Sequence, residues 1–151
     1  MSEMHTGTRH TSIGLVSISE SDGCIVSMRI GDSDGNYEND VICEAFGQLE
    51  EYLSGERKRF EMDLRPRGTD FQKDVWSALC KIPYGRTVSY SELAVSSGHP
   101  GACRAVGNAN GKNPIPILIP CHRVIRTSGD MGGYSLGIDM KRKLLELERS
   151  L

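Results

Sequence analysis

A cysteine and a histidine stand next to each other at Cys121 and His122, directly after the apolar run of residues 115–119. A thiolate is a strong nucleophile, but an ordinary thiol titrates near about pH 8.5, so it needs a neighbouring base or positive charge to react at neutral pH. His122 is such a base, and Arg123 and Arg126 supply positive charge. The segment therefore predicts a nucleophilic cysteine, with a small buried cysteine as the alternative interpretation of the same residues.

Length and composition limit the class of protein that holds this pair. With 151 residues and 38% hydrophobic side chains, the chain can form one compact domain or two small ones. Its longest apolar run is far too short to cross a bilayer, so we expect a cytoplasmic protein that does not bind membranes. The five cysteines are widely spaced and include no C-x-x-C pair, which predicts neither a disulfide framework nor a metal site.

Charge is distributed unevenly along the chain. Residues 1–70 carry 7 Lys and Arg against 14 Asp and Glu, a net −7, whereas residues 71–151 carry 11 against 6, a net +5. No acidic residue occurs between Leu93 and Gly129. A polyanion is a suitable partner for this half of the chain. Charge alone is equally typical of a solvated surface, so nucleic-acid binding needs a motif as well.

The first half of the chain has the pattern of a small sheet packed on one helix. Apolar and polar residues alternate on both sides of a turn at Ser21-Asp22-Gly23, and a helical spacing of apolar residues ends at Gly55. The first dozen residues are polar, and we expect a frayed terminus there. The predicted elements are strands over residues 12–19, 24–30 and 60–64 and a helix over residues 37–53.

The second half of the chain is predicted to be mainly helical. Thr69 is suited to cap a helix whose apolar stripe includes Trp76 as a core residue. Two short helices around the breakers of residues 97–101 give a helix-turn-helix pattern. The glycine-rich residues 127–137 lack the spacing of nucleotide-binding loops, so no nucleotide cofactor is implied. The predicted helices are residues 70–81, a short helix from Ser89, residues 102–110 and residues 139–149.

In the order of its motifs, the second half resembles the O6-alkylguanine-DNA alkyltransferases, a family that repairs alkylated guanine. The motifs that carry the resemblance are Phe71-Gln72 with Trp76, Ile82-Pro83-Tyr84-Gly85, Val88-Ser89-Tyr90, Arg104-Ala105-Val106-Gly107, Asn113-Pro114, residues 116–124 and Gly133-Tyr134-Ser135. The resemblance implies an α/β (α+β) fold in which residues 1–68 form a ribonuclease H-like domain, an antiparallel sheet plus a helix. Residues 69–151 would form a mostly helical DNA-binding and catalytic domain with a winged-helix-like helix-turn-helix.

The resemblance also implies an activity. The protein is expected to act as a methylated-DNA-[protein]-cysteine S-methyltransferase, which moves an alkyl group, mainly methyl, from O6-alkylguanine in DNA to Cys121 and keeps it there. O4-alkylthymine is expected as a second substrate, and the damaged nucleotide would be flipped out through the minor groove. The expected partner is double-stranded DNA containing O6-alkylguanine, bound by a monomer, and no cofactor or metal is expected.

The family's functional residues are carried over at matching positions. His122 would take the thiol proton and Glu148 would orient its ring, although without the family Glu146 is an equal candidate. Tyr90 would turn the 3′ phosphate and give a proton to the departing base, and Asn113 would tie the active-site turn to the helix-turn-helix. By resemblance, Arg104 is the expected DNA-binding finger that fills the space of the flipped base, and Tyr90 contacts the phosphate. The small residues Ala102, Ala105 and Ala109 suit a helix in the minor groove, and Arg123 is expected to bind DNA through its charge. The expected pocket consists of Val124, Tyr134 and Ser135, with the backbone carbonyls of Cys121 and Val124 accepting from the guanine amino group.

One position departs from the family's pattern, and two other classes of function remain open. Leu136 follows Tyr134-Ser135 where many members have glycine, so we expect a narrower pocket that tolerates bulky alkyl groups less well.

A module that binds flipped alkylguanine without repairing it is the first alternative, and the presence of Cys121 argues against it. A cysteine hydrolase or redox enzyme is the second, but the sequence shows neither an acyl pocket nor a resolving cysteine.

Overall fold

The computed structural model describes residues 3–31 and 35–149 of the chain. The chain divides into two compact units, Met1–Arg67 and Gly68–Leu151, called here the N-terminal and C-terminal units. The described residues form a mixed α/β fold with one three-stranded antiparallel sheet and five α-helices. The predicted α/β class is therefore confirmed. Within the same residues, no helix has the length and apolar character needed to cross a membrane.

In the N-terminal unit three antiparallel strands pack against one helix. The elements are β1 (Met4–Thr11), β2 (Gly14–Ser21), β3 (Cys24–Ile30) and α1 (Asp40–Leu53), and the strand order is β1-β2-β3. Val16 and Ile18 of the central strand are fully buried, as are Ile42 and Phe46 of the helix, and they form the core of this unit. The helix begins at Asp40 because the side chain of Asn39 accepts a hydrogen bond from the backbone N–H of Ile42.

Strand β1 occupies Met4–Thr11, so the prediction of a frayed terminus is wrong for these residues. Strand β1 pairs with β2 along its whole length. Side-chain hydroxyls join the two strands, with 2.7 Å between Thr6 Oγ1 and Ser19 Oγ and 3.0 Å between Thr8 Oγ1 and Ser17 Oγ. Cross-strand polar pairs of this kind stabilise a sheet without apolar alternation, and a search for alternation therefore misses the strand.

The strand predicted over residues 60–64 is also wrong. This segment makes one isolated parallel bridge, between Leu64 and Ile25 of β3. The Ile25 N–H donates to the Asp63 carbonyl at 2.9 Å, and the Arg65 N–H donates to the Ile25 carbonyl at 2.8 Å. The third strand of the sheet is therefore β1, and residues 60–64 cover the edge of β3 at a single point.

The C-terminal unit is mainly helical, as predicted. Its elements are α2 (Asp70–Leu79), β4 (Val88–Ser89), α3 (Tyr90–Ser96), α4 (Cys103–Gly111), a 3-10 turn (Cys121–Arg123), β5 (Val124–Ile125) and α5 (Ile138–Leu147). Strands β4 and β5 pair in parallel. Helices α2 and α3 each begin with a capping box, formed by Thr69 with Gln72 and by Ser89 with Glu92.

The core of the C-terminal unit holds the helix pair α3 and α4 in place. The predicted core residue Trp76 is buried, and its indole N–H donates to the backbone carbonyl of Ala109 on α4 at 2.8 Å. The apolar residues 115–119 are buried and irregular, and Ile117 has a positive φ of 73°. The chain therefore passes through the interior between α4 and the 3-10 turn, and Cys121, at the start of that turn, is buried as well.

Candidate active site

The thiol of Cys121 lies at the start of the 3-10 turn and is 1% exposed. The Asn113 side chain fixes the loop that leads to it: its amide nitrogen donates to the Ile119 carbonyl at 2.8 Å, and its amide oxygen accepts from the Ile115 N–H at 2.9 Å. Asn113 also lowers the pKa of the Cys121 thiol. The segment that follows α4 is thus tied to the thiol through one buried amide.

His122 and Glu148 form a hydrogen-bonded pair in the core. The distance from His122 Nε2 to Glu148 Oε2 is 2.7 Å, and both side chains are fully buried. A carboxylate only accepts hydrogen bonds, so Nε2 carries the ring proton and Nδ1 is the basic nitrogen of the neutral ring. Nδ1 is buried and has no hydrogen-bond partner among the described residues. The ring is therefore set in the tautomer that can accept a proton at Nδ1.

Burial keeps both reactive groups in their neutral forms. It raises the pKa of the Cys121 thiol above its usual value, while the nearby polar side chains of Asn113 and Tyr134 and the charge of Lys141 act in the opposite direction. Burial lowers the pKa of His122, and Glu148 offsets part of this decrease. At neutral pH the site consequently holds a thiol beside an imidazole that is free to take its proton.

Arg123 is a partner of Glu148, and its prediction as a DNA-binding residue is wrong. Its guanidinium donates to Glu148 Oε1 from Nε at 2.8 Å and to Oε2 from Nη2 at 2.9 Å. Its Nη1 donates to the Ile82 carbonyl at 2.6 Å. Arg123 is 7% exposed, so its charge is paired with Glu148 inside the fold and does not lie on the surface.

A cavity of about 400 Å³ opens beside the site. Four predicted residues line it together: Tyr90 and Arg104 from the helix pair, and Tyr134 and Ser135 from the glycine-rich segment. Leu136 is half-buried and is not among the described residues that line the cavity. The cavity is also lined by Arg126, noted above for its charge, and by Gly107 and Gly133, which belong to the family motifs. Its remaining lining residues, Cys103, Asn108, Asn110 and Gly111, were not singled out from the sequence. The structure thus brings the tyrosines, arginines and glycine-rich loop together around one space.

The three small residues predicted on α4 differ in exposure. Ala105 is exposed and Ala102 is half-buried, so both are accessible to a partner. Ala109 is only 3% exposed and packs in the core, where its carbonyl accepts from Trp76. The prediction that Ala109 contacts DNA is therefore wrong.

Tyr90 packs closely against the glycine-rich loop. A Cβ at Gly132 would lie 2.9 Å from the Tyr90 hydroxyl oxygen, and Gly132 has a φ of +72°. Glycine is thus required at this point both by space and by backbone conformation. Tyr90 is half-buried, and burial raises its pKa above the ordinary value of 10.0. Its hydroxyl is protonated at neutral pH and available as a donor.

Lys141 is a site residue that the sequence reasoning missed. Its ammonium donates to the Val124 carbonyl at 2.6 Å, to the Gly133 carbonyl at 3.2 Å and to the Met131 carbonyl. Lys141 is fully buried, and this burial lowers its pKa from 10.5 to about 8. The side chain joins the glycine-rich loop to the strand that follows the 3-10 turn. It also places positive charge near Cys121.

The helical spacing contained a signal for Lys141. It lies three and four residues before Leu144 and Leu145, on the face of α5 that these leucines bury. Glu148 lies on the same face, four residues after Leu144. Two charged residues in an apolar stripe indicate buried polar contacts, since such groups are rarely buried without partners.

The chemistry of this arrangement is nucleophilic. Cys121 is placed to supply a sulfur nucleophile and His122 a base, and Glu148 holds the His122 ring through Nε2. The neighbouring cavity has room for an aromatic base. Within the described residues, no group of three or more His, Cys, Asp or Glu side chains is arranged to hold a metal ion.

The sequence matches a protein-family model over residues 70–150, that of the 6-O-methylguanine DNA methyltransferase, DNA binding domain. A methylated-DNA–protein-cysteine methyltransferase of Mycobacterium bovis is 58% identical over 106 residues, which cover 70% of this chain and 64% of that protein. The chain thus spans less than two thirds of that relative's length. The protein of the same name from Mycolicibacterium paratuberculosis is 46% identical over 149 residues, 94% of this chain and 90% of that one.

The fold also matches a solved structure over nearly the whole chain. The crystal structure of Mycobacterium tuberculosis OGT in complex with DNA superimposes with a TM-score of 0.89 and 45% sequence identity. The match covers 97% of this chain and 93% of that one. Both units of this chain therefore have counterparts in one solved protein.

Proposed function

The chain belongs to the 6-O-methylguanine DNA methyltransferase family, and from this premise we propose that it repairs alkylated DNA by direct reversal. It transfers an alkyl group, mainly methyl, from O6 of guanine in double-stranded DNA to Sγ of Cys121. The observation that carries the proposal is the buried thiol of Cys121 beside His122, whose Nε2 lies 2.7 Å from Glu148. O4-alkylthymine is the second substrate proposed.

The reaction begins with a proton transfer. His122 Nδ1 takes the proton of the Cys121 thiol, directly or through a water, while Glu148 accepts the hydrogen bond from Nε2 and stabilises the imidazolium. Lys141 is the cation that stabilises the thiolate, since its charge lowers the pKa of Cys121. Because burial raises the pKa of the thiol and lowers that of the imidazole, the neutral pair is the resting form, from which His122 must take the proton for the sulfur to react.

The transfer is an in-line displacement at the alkyl carbon. The sulfur of Cys121 forms a bond to this carbon as the bond from carbon to O6 breaks, and the electron pair of that bond stays on the guanine. Tyr90 donates a proton to the departing base and recovers one from solvent or from the protonated His122. The net products are S-alkyl Cys121 and guanine, with the number of protons conserved.

The damaged nucleotide must leave the duplex to reach a thiol that is 1% exposed. Flipping costs a few kcal/mol, which contacts in the pocket and along the phosphates offset. Arg104 fills the space left by the base, and Tyr90 turns the 3′ phosphate. Helix α4, with small Ala102 and Ala105 on its accessible side, lies in the minor groove. The pocket is completed by Tyr134, Ser135 and the carbonyl of Val124.

The two units have separate roles in this proposal. Residues 69–151 bind DNA and carry the catalytic residues, with α3 and α4 as the helix-turn-helix of a winged-helix-like domain. Residues 1–68 form a ribonuclease H-like domain, a proposal that the antiparallel sheet and helix of this unit support. The protein acts as a monomer on double-stranded DNA. The Mycobacterium tuberculosis neighbour in complex with DNA supports the DNA partner.

The test is a single-turnover assay on duplex DNA containing O6-methylguanine. Mass spectrometry should find one added methyl, on the peptide that contains Cys121, and the amount of repaired DNA should never exceed the amount of protein. Cys121→Ser should bind the damaged duplex without repairing it. Repeated turnover, or repair by Cys121→Ser, would refute the proposal.

The same assay separates the alternatives. A damage-binding module would hold O6-methylguanine DNA and leave its methyl group in place. A cysteine hydrolase or redox enzyme would turn over an acyl or disulfide substrate and would gain no methyl. Only an alkyltransferase gains 14 Da on one thiol as one lesion disappears from the DNA.

A further inference from the structure

The side chain of Asn110 is a buried amide with an unfilled hydrogen-bonding position. Asn110 lies on α4, is 5% exposed and lines the cavity. Its Oδ1 atom is buried and accepts no hydrogen bond from any of the described residues. Buried side-chain acceptors are nearly always hydrogen-bonded in native proteins, so an exception in a cavity wall points to a ligand as the missing donor.

The chemistry of the proposed substrate restricts which donor this is. Phosphate and deoxyribose oxygens within a DNA strand only accept hydrogen bonds. On O6-alkylguanine the ring nitrogens are acceptors too, because N1 carries no hydrogen while O6 is alkylated. The exocyclic 2-amino group is the one N–H donor that the base offers.

We infer that Asn110 is a specificity-determining residue whose Oδ1 accepts a hydrogen bond from the 2-amino group of the extruded O6-alkylguanine. This inference rests on the proposed function. The 2-amino group has two hydrogens to place. Of the two acceptors proposed for it, the Val124 carbonyl already accepts from Lys141 Nζ at 2.6 Å, so we assign one hydrogen to the Cys121 carbonyl and the other to Asn110 Oδ1, to which no described residue donates.

A second consequence concerns the two proposed substrates. O4-alkylthymine has no N–H donor on its base, since N3 carries no hydrogen while O4 is alkylated. It leaves Asn110 Oδ1 unpaired in the occupied pocket, and this cost disfavours its repair. Asn110 therefore selects for O6-alkylguanine through the amine that distinguishes the two lesions.

The test combines a substitution with a change of one group on the base. Single-turnover repair rates are measured for the full chain and for Asn110→Leu on matched duplexes containing O6-methylguanine, O6-methylhypoxanthine, which lacks the 2-amino group, or O4-methylthymine. We expect Asn110→Leu to slow repair of O6-methylguanine about tenfold, the effect of one lost hydrogen bond at its upper range. Repair of the other two bases should stay within about twofold of the parent rate.

Stability measurements keep the test independent of folding. Leucine has nearly the shape of asparagine and removes an unpaired polar group, so the Tm of Asn110→Leu should equal that of the parent or exceed it by about 2–4 °C. A variant that is as stable as the parent but slower on one base has lost a contact to that base.

Asn108→Leu is the matched control. Asn108 lies on the same helix and lines the same cavity, but its side chain is exposed. Any effect of Asn108→Leu should be the same for O6-methylguanine and O6-methylhypoxanthine.

Equal slowing of these two bases by Asn110→Leu, or no slowing of either, would overturn the inference while leaving the alkyltransferase proposal intact. Failure of the parent chain to repair O6-methylguanine would refute the proposed function itself.

Discussion

The Nε2 atom of His122 lies 2.7 Å from Oε2 of Glu148, and this contact joins residues that are 26 positions apart in the sequence. Arg123 holds the same carboxylate from the other side through Nε and Nη2. Glu148 therefore has two functions in one place: it balances a buried arginine and it sets the tautomer of the base beside Cys121.

Replacing Glu148 by glutamine should remove both functions. The buried guanidinium of Arg123 would lose its counter-charge, which we expect to cost about 3–5 kcal/mol of stability. The glutamine amide has no charge to stabilise the imidazolium and can turn its NH2 group toward His122, which no longer fixes the tautomer, so transfer should slow by about 100-fold or more in the folded protein. Thermal unfolding followed by circular dichroism and single-turnover transfer from free O6-benzylguanine measure the two effects.

Glu146→Gln is the matched control for this change. Glu146 lies two residues earlier on the same helix and is exposed. Both its stability and its transfer rate should equal those of the parent. A Glu148→Gln protein that reacts as fast as Glu146→Gln would show that His122 does not depend on Glu148.

The pH profile should reflect the lowered pKa of His122. A base acts in its neutral form, and burial keeps His122 neutral at pH values where an ordinary histidine, with a pKa near 6.5, is protonated. The transfer rate to Cys121 should therefore remain constant as the pH falls to 6.5 and decrease only at more acidic values. A rate that is halved at pH 6.5 or above would contradict the assignment of His122 as a buried base.

The stability of the protein should also decrease at acidic pH because of His122. Because the folded-state pKa of His122 is below that of the unfolded chain, the unfolded state binds more protons, and the free energy of unfolding decreases as the pH falls below about 6.5. Comparison with His122→Gln isolates this contribution, since the variant lacks the titrating group.

The local parts of the site could be predicted from the sequence, and the distant contacts could not. Cys121 and His122 are neighbours in the chain, so their chemistry is visible directly. Glu148 was found only through the family resemblance, since by residue type Glu146 was an equal candidate. The structure separates the two because Glu148 is buried against His122 and Glu146 is exposed.

The errors have a common physical cause. Arg123 was assigned to DNA because its charge is visible in the sequence, while its partner Glu148 lies 25 positions away. Ala109 was assigned to DNA because it is small, although the same property lets α4 approach Trp76. Strand β1 was missed because hydroxyl pairs hold it. In each case a tertiary contact determines what the side chain does.

The buried Lys141 should lower the stability of the protein as long as its side chain is charged. Its folded-state pKa of about 8 lies below the ordinary 10.5, so burying its charge costs stability below pH 8 and the cost disappears as the pH rises from 8 to 10.5. The free energy of unfolding of the parent relative to Lys141→Met should therefore increase over this range, by on the order of 3 kcal/mol at most. Denaturant titrations of both proteins at several pH values measure the difference.

The same substitution should slow the reaction, because Lys141 ties the glycine-rich loop to the Val124 carbonyl. Lys143→Met is the control, since Lys143 is exposed on the same helix. Identical pH dependence of the stabilities of Lys141→Met and the parent would contradict the burial of this charge.

Replacing Arg104 should impair the repair of duplex DNA, whereas replacing Arg123 should lower the stability of the protein. Arg104 is exposed and lines the cavity, and as the proposed finger it acts only on duplex DNA. Arg104→Ala should slow repair in duplex DNA about tenfold or more, since flipping costs a few kcal/mol, and should leave transfer from free O6-benzylguanine unchanged. Equal losses on both substrates would refute its role as a finger.

Arg123→Met tests whether Arg123 serves the fold through Glu148 and makes no contact with DNA. It should lower Tm because Glu148 is left without its counter-charge. The salt dependence of DNA affinity, which counts phosphate contacts, should keep the slope of the parent. A shallower slope for the variant would show that Arg123 does contact a DNA phosphate.

Alkylation of Cys121 should destabilise the protein that has carried out the repair. The thiol is 1% exposed and follows the loop that Asn113 fixes, since the Asn113 amide holds the Ile119 carbonyl and the Ile115 N–H. A methyl group added here overfills a packed site, at a cost of about 1–3 kcal/mol. For a chain of this length, each 1 kcal/mol lowers Tm by about 2–4 °C.

The measurement compares thermal unfolding before and after stoichiometric reaction with a methylated oligonucleotide. Cys121→Ser incubated with the same oligonucleotide is the control, and its Tm should not change. Since Asn113 lies two residues beyond the C-terminus of α4, the disturbance should reach this helix and weaken DNA binding, so that the methylated protein leaves the repaired site. Equal Tm and equal DNA affinity of the two forms would show that the pocket accommodates the methyl group without strain.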